Sequence, residues 1–136
     1  PNWGSGAPSE HRELARALIE AGADVVFGHS PHIFRGVEVF RNRPIIYSAG
    51  DFVDDYAVDP VERNDQSFFF LLETDGGTPL TLRLHPTLIT GFQARLAGRD
   101  SRQIAERMQR LSRHLGTASN WDTAGGFLEI PLGADG

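Results

Sequence analysis

The sequence predicts an α/β protein, a layered sandwich whose sheet mixes strand directions, and three stretches predict it. A helix-forming run at 9–21 passes through Gly22 into the apolar strand 24–27, the helix–turn–strand unit from which α/β layers are built. Residues 68–85 read as an antiparallel hairpin, so the strands cannot all be parallel. A second amphipathic helix fits 101–115. With 136 residues, 40% of them apolar, the chain supports one compact domain but hardly two, so 1–136 is read as a single domain.

Each element has a local reason. After the loop PNWGSGAP, Ser9 is placed to cap the helix HRELARALIEA. Leu14, Ala17, Leu18 and Ala21 fall at helical spacings and make its apolar stripe, while Gly22 stands where a left-handed C-cap is wanted. The strand that follows ends at Gly28. Phe34 to Phe40 and Ile45 to Ser48 read as two strands joined by the polar break Arg41-Asn42-Arg43-Pro44. The run Ser67 to Glu73 is continuously apolar, which suggests a strand covered on both faces. Asp75-Gly76-Gly77 turns it into the alternating strand Leu80, Leu82, Leu84, and a further short strand fits Thr87 to Ile89. Asp100 and Gln103 match a capping box, followed by the stripe Ile104, Met108, Leu111, Leu115 and a closing Gly116. Phe127 to Ile130 adds a last strand. Two helices are few for so many strands, which points to a partner segment or a homo-oligomer covering an open edge.

Composition removes several functions. A formal charge of −5 gives no broad basic surface, so nucleic acid is not an expected partner. The absence of cysteine excludes disulfides, thiolate ligands and a cysteine nucleophile. No stretch reaches the ~20 apolar residues of a membrane span, and the opening lacks the pattern of a signal peptide. A start without methionine, inside a Gly/Pro-rich loop, suggests a processed product or a piece of something longer, and leaves the compartment open. No G-x-S-x-G elbow, P-loop or dinucleotide fingerprint occurs.

Chemistry concentrates in VVFGHSPHIF, residues 25–34. Histidines at the C-terminal end of a strand project into the crevice where open α/β sheets hold ligands, and an imidazole lone pair binds a transition metal. His29 and His32 are therefore the candidate metal ligands, with Gly28 allowing close backbone approach and Ser30-Pro31 stiffening the turn. Asp51, at the end of the next strand, is the candidate catalytic residue, as general base or oxygen ligand. Asp54, Asp55 and Asp59 read as a solvated acidic loop; His11, His85 and His114 receive no role. Arg35, Arg41 and Arg43 could steer an anionic substrate or be ordinary surface.

ELARALIEAGADVVFGHSPHIFRGVEVFRNRPIIYSAGDFV resembles the C-terminal part of the bacterial capsule-synthesis proteins for poly-γ-glutamate, the CapA-like family. The family pattern is a helix, G-A-D-x-V-x-G-x-x-P-H, a strand, and P-I-x-Y-S-x-G-N-F; the match covers about residues 3–73. The resemblance implies the C-terminal part of a calcineurin-like, metallophosphoesterase-type fold and a metal-dependent hydrolase acting on an anionic small-molecule or polymer substrate. It implies two divalent cations in the intact protein, Mn, Fe or Zn, with His29 and His32 among their ligands. Asp51 stands where the family usually has asparagine, and Ser30 where another histidine is frequent. Asn2-Trp3-Gly4 imitates the family's His-Trp-Gly segment without its histidine, so the true one is expected just before Pro1. Two bridged cations need roughly six to eight protein ligands, so this stretch alone is not expected to hydrolyse a phosphoester. The alternative is a non-catalytic module of a capsule-assembly complex that binds polymer or a partner.

Overall fold

The computed structural model describes residues 3–54 and 57–133; Asn2 and Asp55, both singled out above, lie outside the described residues. Among the described residues the architecture is mixed α/β with two helices, as the sequence predicts, and its strands form two separate sheets. In chain order the elements are α1 (Ser9–Glu20), β1 (Val26–Phe27), β2 (Val37–Phe40), β3 (Arg43–Ile46), β4 (Gln66–Asp75), β5 (Thr78–Thr90), β6 (Gln93–Leu96), α2 (Ser101–Arg113), β7 (Asn120–Asp122) and β8 (Phe127–Pro131).

Helix α1 ends as expected: Gly22 takes φ +114°, and its N–H and that of Ala23 reach back to Ile19 O and Leu18 O, both at 3.0 Å. Its start and its buried face differ. The flanking residue is Pro8, in extended backbone, so Ser9 lies inside the first turn and caps nothing. The buried residues are Ala15 and Ile19, packed on Ile45 and Tyr47, whereas Leu14 and Leu18 are 62% and 44% exposed. The two faces differ by a single 100° step, which spacing alone does not separate. What selects between them is Arg16, whose Nε donates to Glu38 Oε2 at 3.0 Å while Tyr47 Oη donates to Glu38 Oε1 at 2.5 Å. That network pins α1 to the sheet with Ala15 and Ile19 inward and raises the Tyr47 phenol, first through burial.

The smaller sheet has the order β1-β3-β2, with β1 parallel and β2 antiparallel to β3. Arg41 and Asn42 both take positive φ, 52° and 62°, the two-residue hairpin geometry that matches strand twist. Side chains alternate across β3: Ile45 meets α1, and Ile46 enters the main core. The larger sheet runs β4-β5-β8-β7, with β6 also paired to β5. Strand β5 absorbs both predicted strands, at 80–84 and 87–89, because Pro86 stays in the ladder through its carbonyl, which accepts Ala97 N–H at 3.0 Å. Strand β4 is covered on one face only: Phe68 is buried, while Phe69 and Leu71 are 50% and 44% exposed.

The main core joins the smaller sheet, the larger sheet and α2. Phe34, Val37 and Ile46 meet Phe68, Leu82, Leu84, Leu128 and Ile130 of the larger sheet and Ile104, Ala105 and Met108 of α2. The predicted capping box does not form: Asp100 makes no side-chain cap, and a 3₁₀ turn at Gly98–Asp100 leads into α2 instead. Helix α2 lies flush on the start of β2, with Ser112 Oγ accepting Val37 N–H at 3.0 Å. A Cβ on Gly36 would sit 2.6 Å from Leu111 O and 2.7 Å from its carbon, both backbone atoms that cannot step aside cheaply. Gly36→Ala is therefore expected to cost about 1–3 kcal/mol, the usual range for overpacking. A urea-denaturation midpoint equal to that of the parent chain would contradict this reading.

Candidate metal centre

Strands β1 and β3 are parallel neighbours, so the segments that follow them leave the sheet at the same end. They remain zipped together beyond it. Gly28 N–H donates to Ile46 O at 2.6 Å, Ala49 N–H to Gly28 O at 3.2 Å, Arg35 N–H to Ser48 O at 3.1 Å and Asp51 N–H to His32 O at 3.2 Å. The buried Ser48 hydroxyl donates to Ile33 O at 2.9 Å and accepts Gly50 N–H at 3.1 Å. Two glycines make the approach possible: a Cβ on Gly28 would overlap Tyr47 O, and one on Gly50, at φ +74°, would lie 2.8 Å from Phe34 N.

The zipper sets His32 against Asp51, with Nδ1 3.1 Å from each carboxylate oxygen and both side chains largely buried. Asp54 completes a group in which one donor atom from each residue lies within 4.8 Å of the others. The Trp3 ring covers His32, centroid to centroid 4.8 Å and tilted by 37°. Burial, with the hydrogen bond from Asp54 next, pushes the Asp51 carboxyl up to about 6, while His32 pulls it the other way. One imidazole nitrogen and two carboxylates make a donor set suited to a borderline divalent cation such as Mn, Fe or Zn. Three donors leave part of such an ion's coordination shell open.

The structure places the other candidates elsewhere. His29 is exposed, its Nδ1 3.2 Å from Ser30 Oγ, and it is not part of the His32 group. Asp59 is an architectural residue: its carboxylate accepts Val61 N–H at 2.9 Å and Glu62 N–H at 2.8 Å, which holds it below the usual range. Arg35 is interior, with Nε donating to Gly4 O at 3.2 Å. Arg41 and Arg43 are engaged in surface ion pairs with Glu20 and Asp24. His85 lies between Phe69 and Phe127, and His114 caps α2. Sequence reasoning passed over Asp54, taking it for solvated loop, and gave Trp3 no contact. The usable signal for Asp54 was its position three residues after a strand-end carboxylate.

Comparison with known proteins adds the following. Residues 1–56 match the family model of the bacterial capsule synthesis protein PGA_cap. A probable polyglutamine synthesis accessory protein of Mycobacterium tuberculosis is 33% identical over 121 residues, 85% of this chain and 32% of that protein. The PGA biosynthesis protein CapA of Bacillus subtilis is 50% identical over 44 residues, 32% of this chain and 12% of that protein. The capsule biosynthesis protein CapA of Bacillus anthracis is 41% identical over 58 residues, 40% and 14% respectively. The chain thus spans a third or less of the length of these curated relatives.

Because the folded Asp51 carboxyl lies above its unfolded value of about 4, its contribution to stability is complete below that pH and is lost as pH rises through about 6. Asp54→Asn removes the like charge and offers a donor instead. The Asp51 midpoint is then expected to fall toward the ordinary carboxylate range, and the loss of stability to move to lower pH with it. Carboxyl ¹³C NMR titration in the presence of a chelator reads the midpoint; an unchanged value in the variant would show that Asp54 does not act on Asp51.

Proposed function

We propose, from the premise that the chain belongs to the bacterial capsule-synthesis, CapA-like family, that it is part of a metal-dependent hydrolase of capsule biosynthesis with a calcineurin-like, metallophosphoesterase-type fold. The observation that carries the reading is the junction of His32, Asp51 and Asp54 at the common end of two parallel strands. In this reading His32 and the two aspartates hold part of a divalent-metal centre, and the remaining donors belong to polypeptide outside this chain. A divalent cation in such a centre supplies Lewis acidity toward a phosphoryl or carbonyl oxygen and acidifies a bound water.

The residues of this chain do the positioning. Asp51, fixed through its own N–H by His32 O, sets both carboxylate oxygens 3.1 Å from Nδ1 of the imidazole, so that a divalent cation would be held between this nitrogen and the carboxylates of Asp51 and Asp54. With no cation bound the Asp51 carboxyl is held near 6, and a divalent cation would displace its proton, so Asp51 serves as an oxygen ligand in this reading. Trp3, tilted against the ring, packs on one side of His32. The substrate in this reading is an anionic small molecule or polymer, as the family resemblance implies.

A second reading has a specific observation behind it. Leu14 and Leu18 of α1 stand exposed beside Val26 at the edge of the smaller sheet, in a shallow groove with His11 and His29. An uncovered apolar helix face next to a strand edge suits a non-catalytic module that binds a partner or polymer within a capsule-assembly complex.

Zinc titration by calorimetry separates the two. His32→Ala and Asp51→Asn are each expected to weaken Zn²⁺ binding by about tenfold or more, ~1.4 kcal/mol, and His29→Ala by less. Isotherms identical to the parent for both His32 and Asp51 variants would remove the metal centre and leave the binding module.

A further inference from the structure

We infer that the open cleft between α2 and the loop 57–66 is a second binding site, separate from the His32 centre, for a ligand that carries oxyanion groups, carboxylate or phosphate. The cleft has a volume of about 700 Å³, and Arg63, Arg107, Arg110, Gln66 and Gln103 are among the residues that line it. Its helical wall is one face of α2, since Gln103, Glu106, Arg107 and Arg110 follow the i, i+3, i+4, i+7 spacing.

The arginines are placed by the fold rather than scattered on it. Arg107 lies over the Phe34 ring, 5.0 Å from its centroid, and donates to Glu62 O at 2.9 Å. Arg63 takes φ +55°, a left-handed conformation that costs a non-glycine residue energy and is held by its surroundings. Those surroundings are specific: Asp59 caps the loop, Asn64 accepts Asp59 N–H at 2.8 Å and donates to Ala57 O at 3.1 Å, and the Arg63 fork rests on Asp65 at 2.9 and 2.8 Å. Arg110 makes no side-chain hydrogen bond or ion pair among the described residues. Arg107 and Arg110 lie three apart on the same face; burial is the main cost to the Arg107 charge, the Glu62 carboxylate offsets part of it, and the smaller repulsions of Arg110 and then Arg63 add to it. The other carboxylate at the rim, Glu106, is engaged by Arg102 at 3.3 Å.

A guanidinium with no counter-ion among the described residues, beside a half-buried one, leaves room for negative charge that planar or tetrahedral oxyanions meet with paired hydrogen bonds. The amides of Gln66 and Gln103 add donors to the same space. No residue of the metal centre takes part, so the two assignments stand or fall separately.

Citrate and inorganic tripolyphosphate serve as probes, titrated calorimetrically at low salt with a chelator present. Saturable one-to-one binding of at least one is expected, weakened about tenfold by Arg110→Gln and unchanged by Arg102→Gln or His32→Ala. Arg110 is exposed, so its substitution leaves the core untouched; the stronger of the two probes identifies the ligand as carboxylate or phosphate in character. Absence of saturable binding, equal weakening by Arg110→Gln and Arg102→Gln, or sensitivity to His32→Ala would overturn the assignment.

Discussion

The candidate centre depends on one constraint, the hydrogen-bonded closure of 28–35 against 46–51 beyond the end of the smaller sheet. His32 and Asp51 are 19 residues apart in sequence and share no element. They meet because β1 and β3 are parallel neighbours and because backbone bonds continue past their last paired residues. Folding therefore supplies the entropy cost of bringing the two side chains together, and the site is organised before any ligand arrives. The same closure buries the Asp51 carboxylate next to a second one, which is why its proton is held more tightly than in water.

Some of this was legible in the sequence and some was not. Glycines at the end of α1 and after α2, the Arg41-Asn42 turn and the Asp75-Gly76-Gly77 turn are local signals, and they located both helices and the β2–β3 and β4–β5 hairpins, but not the β5–β6 and β7–β8 ones. The strand-end position of His32 and Asp51 was readable for the same reason. What one segment cannot state is which of its faces another segment will cover. Leu14 and Leu18 have the spacing of a buried stripe, yet the Arg16–Glu38–Tyr47 network turns α1 by a residue and leaves them outside. The run Ser67 to Glu73 reads as doubly covered, but the face that carries Phe69 and Leu71 stands exposed. Strands β6 and β7 are too short, at four and three residues, to carry a periodic pattern. The two imidazoles of the His-Ser-Pro-His loop also look equivalent in sequence. Ser30, at φ +87°, turns the chain between them, and their ring nitrogens take different neighbours.

The metal centre and the arginine cleft are joined through the first described residues. Trp3 lies on His32, Gly4 O accepts from the interior Arg35, and Ser5 lines the cleft. Phe34 connects them from beneath, bridged to Ala49 on one side and covered by Arg107 on the other. The loop 3–5 therefore serves both places at once, although no helix or strand holds it.

The glycines at 28, 36 and 50 have a consequence for how such a chain can diverge. At each, a methyl group would collide with main-chain atoms of a neighbouring segment, and main chain has no alternative rotamer. The imidazole and carboxyl groups at the strand ends are replaceable without disturbing any of those approaches. A descendant that had abandoned the chemistry could keep the shape, and its ancestry would be written in its smallest residues rather than in its reactive ones.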